Sequence, residues 1–283
     1  MIILKKSLNS LIKENIYLLI PFIIYGIYKN GYLIYQKDLI SLIGIFKPMY
    51  LSILSIIIKI VVDLIRYKKI NFDYDFVYIV LLSMIMPYNI NYIIYILLLF
   101  VLYLLSTFIK NIKFNKVCLI YLIIVLVNSI FVKFTYMNQL ELNYSFNYEF
   151  LDYFFGKNIG GISSTCIVLS LISYIYLLNN FYYKKDIPFF INITYLILSF
   201  IYFIITSNIN YLLNSELIFA SVFIATLPEF SPYKKDMQII YSILIGIITF
   251  IISIIFNKII AVYIAIFIVS LINLLNIRHS STK

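Results

Sequence analysis

Charge is what this sequence has least of. Only 12% of its 283 residues are Asp, Glu, Lys or Arg, against ~25% in a typical soluble domain. With 63% hydrophobic residues and a mean hydropathy of +1.01, no soluble fold could bury the apolar surface, so the chain reads as a polytopic membrane protein. Its apolar runs are continuous rather than alternating, which excludes a β-barrel and leaves helices. Histidine is nearly missing: His279, in the polar tail, is the sole one, so Ser–His or Cys–His catalysis has no base. The two cysteines, Cys118 and Cys166, lie far apart without CxxC spacing, which argues against a disulfide or a protein-borne metal site. Tryptophan is absent while Tyr (28) and Phe (24) abound. Alongside abundant Ile, Lys and Asn this reads as AT-rich coding composition, and no single tyrosine is taken as a belt marker or ligand cage.

What is present is a series of about ten apolar segments between charged breaks. The first half offers Asn15 to Tyr28, Pro48 to Ile65, Phe76 to Met86, Tyr92 to Ile109 and Val117 to Val132. The second offers Gly161 to Leu178, Ile187 to Thr206, Leu217 to Leu227, Gln238 to Phe256 and Ile259 to Ile277. The third segment of each half is short and stops on a proline, Pro87 or Pro228. At ~1.5 Å per residue such a segment covers about half of a ~30 Å hydrocarbon core. Five segments per half force the second copy to enter the membrane from the opposite side. The expected architecture is therefore all-α: a single integral membrane domain over 1–283, built as a five-plus-five inverted repeat with two broken segments. Its first repeat covers 1–132, an outside connecting stretch 133–158, and the second repeat 159–283. Paired interrupted segments at matching places point to a site between such halves.

The net charge of +10 does not imply nucleic acid, because the basic residues sit in short loops and act as topology signals. With the amino terminus inside, inside loops hold 15 Lys and Arg and outside loops 6, with Lys59 inside a span. Both termini are then cytoplasmic. Lys5, Lys6 and Lys13 precede an apolar run with no small-residue cleavage pattern, so this reads as an uncleaved first span. The outside stretch carries Glu141, Glu149 and Asp152 among aromatic residues, as an amphipathic interfacial loop would.

Ionisable groups within spans are costly and so are candidates for function. Lys59 and Asp63 stand i, i+4 and can pair on one helix face. Asp63 is either part of an ion pathway or a cap on the Arg66, Lys68, Lys69 cluster. Glu216 and Glu229 flank the second short segment and read as hydrated loop ends. A broken helix leaves amide N–H groups at one end and carbonyls at the other that must face protein or water, and its N-terminal end favours anions. The run from Gly160 to Thr165 (GGISST) is a second candidate anion end.

In order, these pieces resemble one family: the RnfD membrane protein of the Rnf-type electron transport complex and its relative, the NqrB membrane protein of the sodium-translocating NADH:quinone reductase. The stretch FFGKNIGGISSTCIVLSLISYIYLL resembles the family's F-G-x-x-x-G-S-I-G-E-T-S and the aliphatic span after it. Lys185-Asp186-Ile187-Pro188 resembles Trp-Arg-Ile-Pro, and FASVFIATLPEFSP resembles F-G-A-F-F-M-A-T-D-P-V-T-S-P. Asp73 to Asn91 and Lys113-Phe114-Asn115 carry a looser likeness in the first half. Ser164 stands where the family has Glu, Leu227 where it has Asp, and Lys116 where it has Pro. The family's Ser-Gly-Ala-Thr motif, whose Thr carries FMN through a phosphoester, is absent; Thr135 is the only threonine in Lys133 to Lys157.

The resemblance implies a membrane component of an Rnf/Nqr-like oxidoreductase or translocase, in the bacterial cytoplasmic membrane. It implies electrons passing through flavin, coupled to Na⁺ or H⁺ movement, with other subunits of the complex as partners and supplying most redox centres. Residues it would place near a flavin or ion are Gly160, Gly161, Thr165, Thr226, Asn115 and, for an FMN ester, Thr135. The alternative is a stand-alone inverted-repeat transporter or channel, for which Asp63, Asn115, Thr165 and Thr226 would line the path. A multi-pass polymerase or flippase ranks last, because the outside loop is short.

Overall fold

The computed structural model describes residues 8–108, 114–131, 135–143 and 150–280. Lys5, Lys6, Lys110, Lys113, Lys133, Lys283 and Glu149, all used in the topology or loop arguments, lie outside the described residues. Among the described residues the regular structure is entirely helical: α1 (Leu8–Ile27), α2 (Lys47–Tyr67), α3 (Asp75–Ile85), α4 (Tyr92–Phe108), α5 (Lys116–Phe131), α6 (Gln139–Asn143), α7 (Phe150–Phe154), α8 (Ile167–Leu178), α9 (Asp186–Thr206), α10 (Ser215–Phe223), α11 (Lys235–Ile255) and α12 (Lys258–Ser280). Four helical stretches are long and apolar enough to cross a membrane (Ile12–Tyr35, Leu42–Tyr67, Asp186–Thr206 and Lys235–Ile255), and six shorter apolar helices accompany them. The protein is thus a polytopic helical membrane protein.

The chain divides into two compact units. The first comprises Met1–Phe108, Ile124–Phe146 and Gly161–Ser164; the second comprises Ile109–Ile123, Asn147–Gly160 and Thr165–Lys283. Short pieces of each half of the sequence thus belong to the unit built mainly from the other half.

The same local grammar recurs in both halves. α2 and α9 are each 21 residues long and carry a proline in their first turn, Pro48 and Pro188, where the missing N–H costs nothing. Each ends on a residue in the left-handed region, Lys68 (φ 55°) and Ser207 (φ 57°), whose amide returns to Leu64 O or Phe203 O. The third helix of each half is short: α3 stops before Met86-Pro87, and α10 stops at Phe223, four residues before Leu227.

In the first unit, α2 binds α3 through Ser52 and Ser83 (2.9 Å) and α4 through Ser55 and Tyr95 (2.5 Å). α1 runs through a π-helical turn, Tyr28–Tyr32, to Tyr35, well past the Tyr28 expected from hydropathy. The sixth apolar segment also differs: Gly161–Ser164 is not helical and α8 starts only at Ile167. Ile162 N and Ser163 N donate instead to Met86 O (2.8 Å) and Met84 O (3.0 Å), the orphan carbonyls at the end of α3. Asn30 Nδ2 donates to Ile162 O at 2.7 Å and fixes this strap from the other side. Hydropathy cannot separate such a buried apolar strap from the first turn of a helix.

In the second unit, α9 and α11 pack closely at Gly246, where α11 has no side chain to hold it off Thr194. Asn115 caps α5 by accepting from Cys118 N (3.1 Å), and its Nδ2 donates to Ile224 O (3.2 Å) just past α10. Both broken helices therefore have carbonyls satisfied by a loop from the opposite half of the sequence.

Candidate functional site

Each of the two broken helices has polar side chains compensating it at both ends. At the amino end of α3, Asp75 lies in the first turn and accepts from Tyr103 Oη at 3.0 Å. At the amino end of α10, Glu216 lies in the first turn and its Oε2 accepts from Tyr263 Oη. A carboxylate is favoured at the positive end of the helix dipole, and Asn214 completes the α10 cap by accepting from Leu217 N (3.2 Å).

The carboxyl ends carry ammonium groups. Lys47 Nζ donates to Tyr88 O, one residue beyond Pro87, and lies over the Tyr88 (4.5 Å) and Tyr92 (5.4 Å) rings. Lys184 Nζ donates to Ser231 O (2.7 Å), Ser231 Oγ (2.6 Å) and Pro228 O (3.4 Å), with the Tyr233 ring 4.2 Å away. Beside it, Tyr183 Oη donates to Val222 O at 3.0 Å. Lys47 opens α2, and Lys184 stands two residues ahead of α9. Hydropathy and charge counting treat both only as loop charges, although a Lys shortly before the proline of the second helix in each half is a signal the sequence contains.

Burial pushes the Lys184 ammonium down to about 8. The folded protein therefore releases this proton before the unfolded chain does. Between about pH 8 and the ordinary lysine value of 10.5 the unfolded state binds more protons, so this group adds stability as pH rises through that window. Lys184→Met is expected to flatten that rise, which melting temperatures of both proteins across the window would show. An unchanged slope in the variant would assign the titration elsewhere.

The residues singled out in the sequence fall at several places. Thr165 (1% exposed) donates Oγ1–H to Gly156 O at 2.9 Å, and Gly160 packs against Thr165 and Glu216. These residues stand at the amino end of α10. Thr226 donates to Val222 O at 2.6 Å and Asn115 binds Ile224 O, both at its carboxyl end. Gly161 belongs to the strap in the first unit, where an added Cβ would meet the Ile85 backbone at 2.9 Å. Asp63 forms the expected pair with Lys59 at 2.5 Å; both are essentially fully buried (1% and 0% exposed). Asp63 also accepts from Asn71 N (3.1 Å), while Lys59 donates to Asn71 O and lies 3.2 Å from Asp73. Glu229 is exposed, as expected of a loop end, whereas Glu216 is buried. The Glu216 expectation failed because its place next to a polar loop hides that α10 begins inside the protein.

Thr135 is half-buried. Its amide donates to Asn89 Oδ1 (3.1 Å) and its Oγ1 accepts from Met137 N (3.0 Å), closing a turn. A phosphoester there would have to give up that turn, so the residues do not fit a covalently attached FMN at Thr135. A cleft of about 240 Å³ lies along α9 and α10, lined by apolar side chains apart from Asn192, Asn214, Tyr174 and Tyr195. Among the described residues no group of three or more His, Cys, Asp or Glu could hold a metal ion.

No curated protein is similar enough to the chain to match it. The model of the NQR2, RnfD, RnfE family matches residues 2–277. A match over nearly the whole length, on a helical membrane protein with paired broken helices, means that the chain belongs to the NQR2, RnfD, RnfE family and is a membrane component of the Rnf/Nqr type.

Proposed function

We propose that the chain serves as the RnfD-like component of an ion-translocating electron transport complex of the Rnf type, in the bacterial cytoplasmic membrane with both termini inside. The observation that carries this reading is the pair of short broken helices, α3 and α10, each with an acid at its amino end and a lysine beyond its carboxyl end. Such helices keep polar backbone at membrane depth only where protein or water receives it, which suits a translocating protein.

Flavin supplies the electron chemistry when bound. On this reading it is held without a covalent bond or carried by partner subunits, because the Thr135 turn does not suit an ester. The chain's own groups hold backbone and charge in place: Asn115, Lys184 and Tyr183 fix the end of α10, and the Gly161–Ser164 strap fixes the end of α3. The geometry favours a structural role for Asp63, since Lys59 consumes its charge.

The test is purification of the tagged chain from its native membranes, followed by denaturing electrophoresis under ultraviolet light. Other redox subunits are expected to co-purify, and the band of this chain is expected to be dark. A fluorescent band would overturn the non-covalent assignment. Purification of the chain alone would overturn the complex and favour a stand-alone transporter, a reading that the same interrupted helices also serve.

A further inference from the structure

We propose that Glu216 is a proton-binding carboxyl group inside the second unit, one that takes up and releases a proton within the protein interior. This deepens the reading above, on which it rests, by naming the residue and the ion it carries. Glu216 is 1% exposed and stands in the first turn of α10. Its surroundings are built from several elements. Oε2 accepts from Tyr263 Oη of α12. Oε1 faces Gly160, where an added Cβ would lie 2.6 Å from it and 2.5 Å from Thr165 Cγ2. Asn158 Nδ2 donates to Ser215 Oγ at 3.1 Å, and Asn158, Ser215 and Thr165 are themselves buried. The Tyr121 ring packs 4.4 Å from that of Tyr263.

This setting tolerates both states of the carboxyl group. Ionised, it is stabilised by the amide dipoles of α10 and by the phenol's O–H. Protonated, it leaves an acid beside a phenol, both neutral. Asp63 differs: protonating it would strand the buried Lys59 ammonium 2.5 Å away.

The packing also selects the ion. A sodium ion needs several oxygens converging on open space. Here Oε1 and the Thr165 methyl both border the narrow space over the Gly160 Cα, each within 2.6 Å of where a Cβ would stand, and the phenol takes Oε2; so tight a setting favours a proton over a multiply coordinated cation.

Of the other titratable groups on the elements packed around α10, Asp186 stands in the first turn of α9 and Tyr202 of α9 packs its ring on Tyr211 and Phe250. Lys258 of α12 donates its ammonium to Asn210 O. Tyr174 of α8 donates to Lys185 O, and Tyr176 lies near the far end of α8. Tyr195 of α9 packs its ring on Phe250; Cys166 precedes α8, and Cys118 is buried on α5.

The experiment treats membranes containing the full chain with dicyclohexylcarbodiimide, which reacts with protonated carboxyl groups, and locates the adduct by peptide mass spectrometry. An adduct at Glu216 is expected, rising several-fold as pH is lowered and absent in Glu216→Gln. Tyr263→Phe removes a donor to the ionised form and is expected to move the midpoint up by about one pH unit. An adduct indifferent to pH would overturn the proposal. So would one that sodium suppresses, which would make Glu216 a sodium site. If no adduct forms, infrared difference spectra of the chain in lipid decide: a carboxylic acid band that titrates and vanishes in Glu216→Gln supports the proposal, and its absence overturns it. None of this needs a partner or turnover, so its failure is distinguishable from failure to co-purify a complex.

Discussion

Replacing Asp63 by alanine is expected to cost the protein about 3–5 kcal/mol of stability, the range for breaking a buried ion pair by removing one partner. The reason is what it leaves behind. Lys59 has no exposed surface, lies 4.0 Å from the centre of the Phe76 ring, and donates to Asn71 O. Without Asp63 its main counter-charge is Asp73, at 3.2 Å but 43% exposed. Asp63 also binds Asn71 N, so its loss leaves that amide, four residues ahead of α3, without its carboxylate acceptor. Asp63→Asn should be nearly as costly, since the amide keeps the shape and loses the charge. The double variant Lys59→Met/Asp63→Leu should recover most of the loss, because it removes both charges and fills the volume. Melting temperatures in detergent, followed by the monodisperse fraction, would check all three. A double variant as unstable as Asp63→Ala would show that the loop contacts rather than the ion pair hold this corner.

That pair was legible in the sequence because helical spacing alone brings i and i+4 together. The same holds for the ten apolar segments and for the short third member of each half, where length and a terminal proline are local signals. What escaped the sequence depends on where chain segments go after they leave a helix. Gly161–Ser164 reads as the start of a span, yet it lies along the end of α3 and supplies amides to Met84 and Met86. Lys47 and Lys184 read as topology charges, yet each reaches carbonyls some forty residues further along the chain. Glu216 reads as a loop end because its neighbours Asn214 and Ser215 are polar, and all three are buried. Contacts across such separations leave no periodic trace. The repeated grammar of the two halves was the nearest available clue: the second helix of each half starts with a proline, and the third is broken.

Gly246→Ala is expected to destabilise the second unit by about 1–3 kcal/mol, the usual cost of forcing a methyl into a packed interface. The new Cβ would lie inside van der Waals contact of Thr194 Oγ1, and 2.9 Å from Thr194 Cβ and 3.1 Å from Ile191 O. Thr194 Oγ1 is itself tied back to Phe190 O (2.8 Å) and Ile191 O (3.0 Å), so it cannot swing aside without giving up both contacts. The helices must therefore separate or tilt. Small residues are what allow such close approach between membrane helices, where no hydrophobic drive remains to pull them together. Adding Thr194→Ala removes the worst contact but leaves Cβ and the Ile191 carbonyl in place, so the pair should recover stability only in part, a coupling that a double-mutant cycle would measure. Full recovery would mean that the backbone contacts relax freely; no recovery would mean that Ile191 O alone sets the spacing. The consequence extends to the broken helix. Asn192 of α9 donates to Ser221 Oγ of α10 at 2.8 Å, so a shift of α9 at Thr194 moves a residue that grips α10 only two positions away. Gly246→Ala should therefore raise amide exchange over 215–223 more than over α8, whose contacts with α9 are not strained by the new methyl. Equal changes in both would show that α10 is held from its ends, by Asn214 and Asn115, and not from its side.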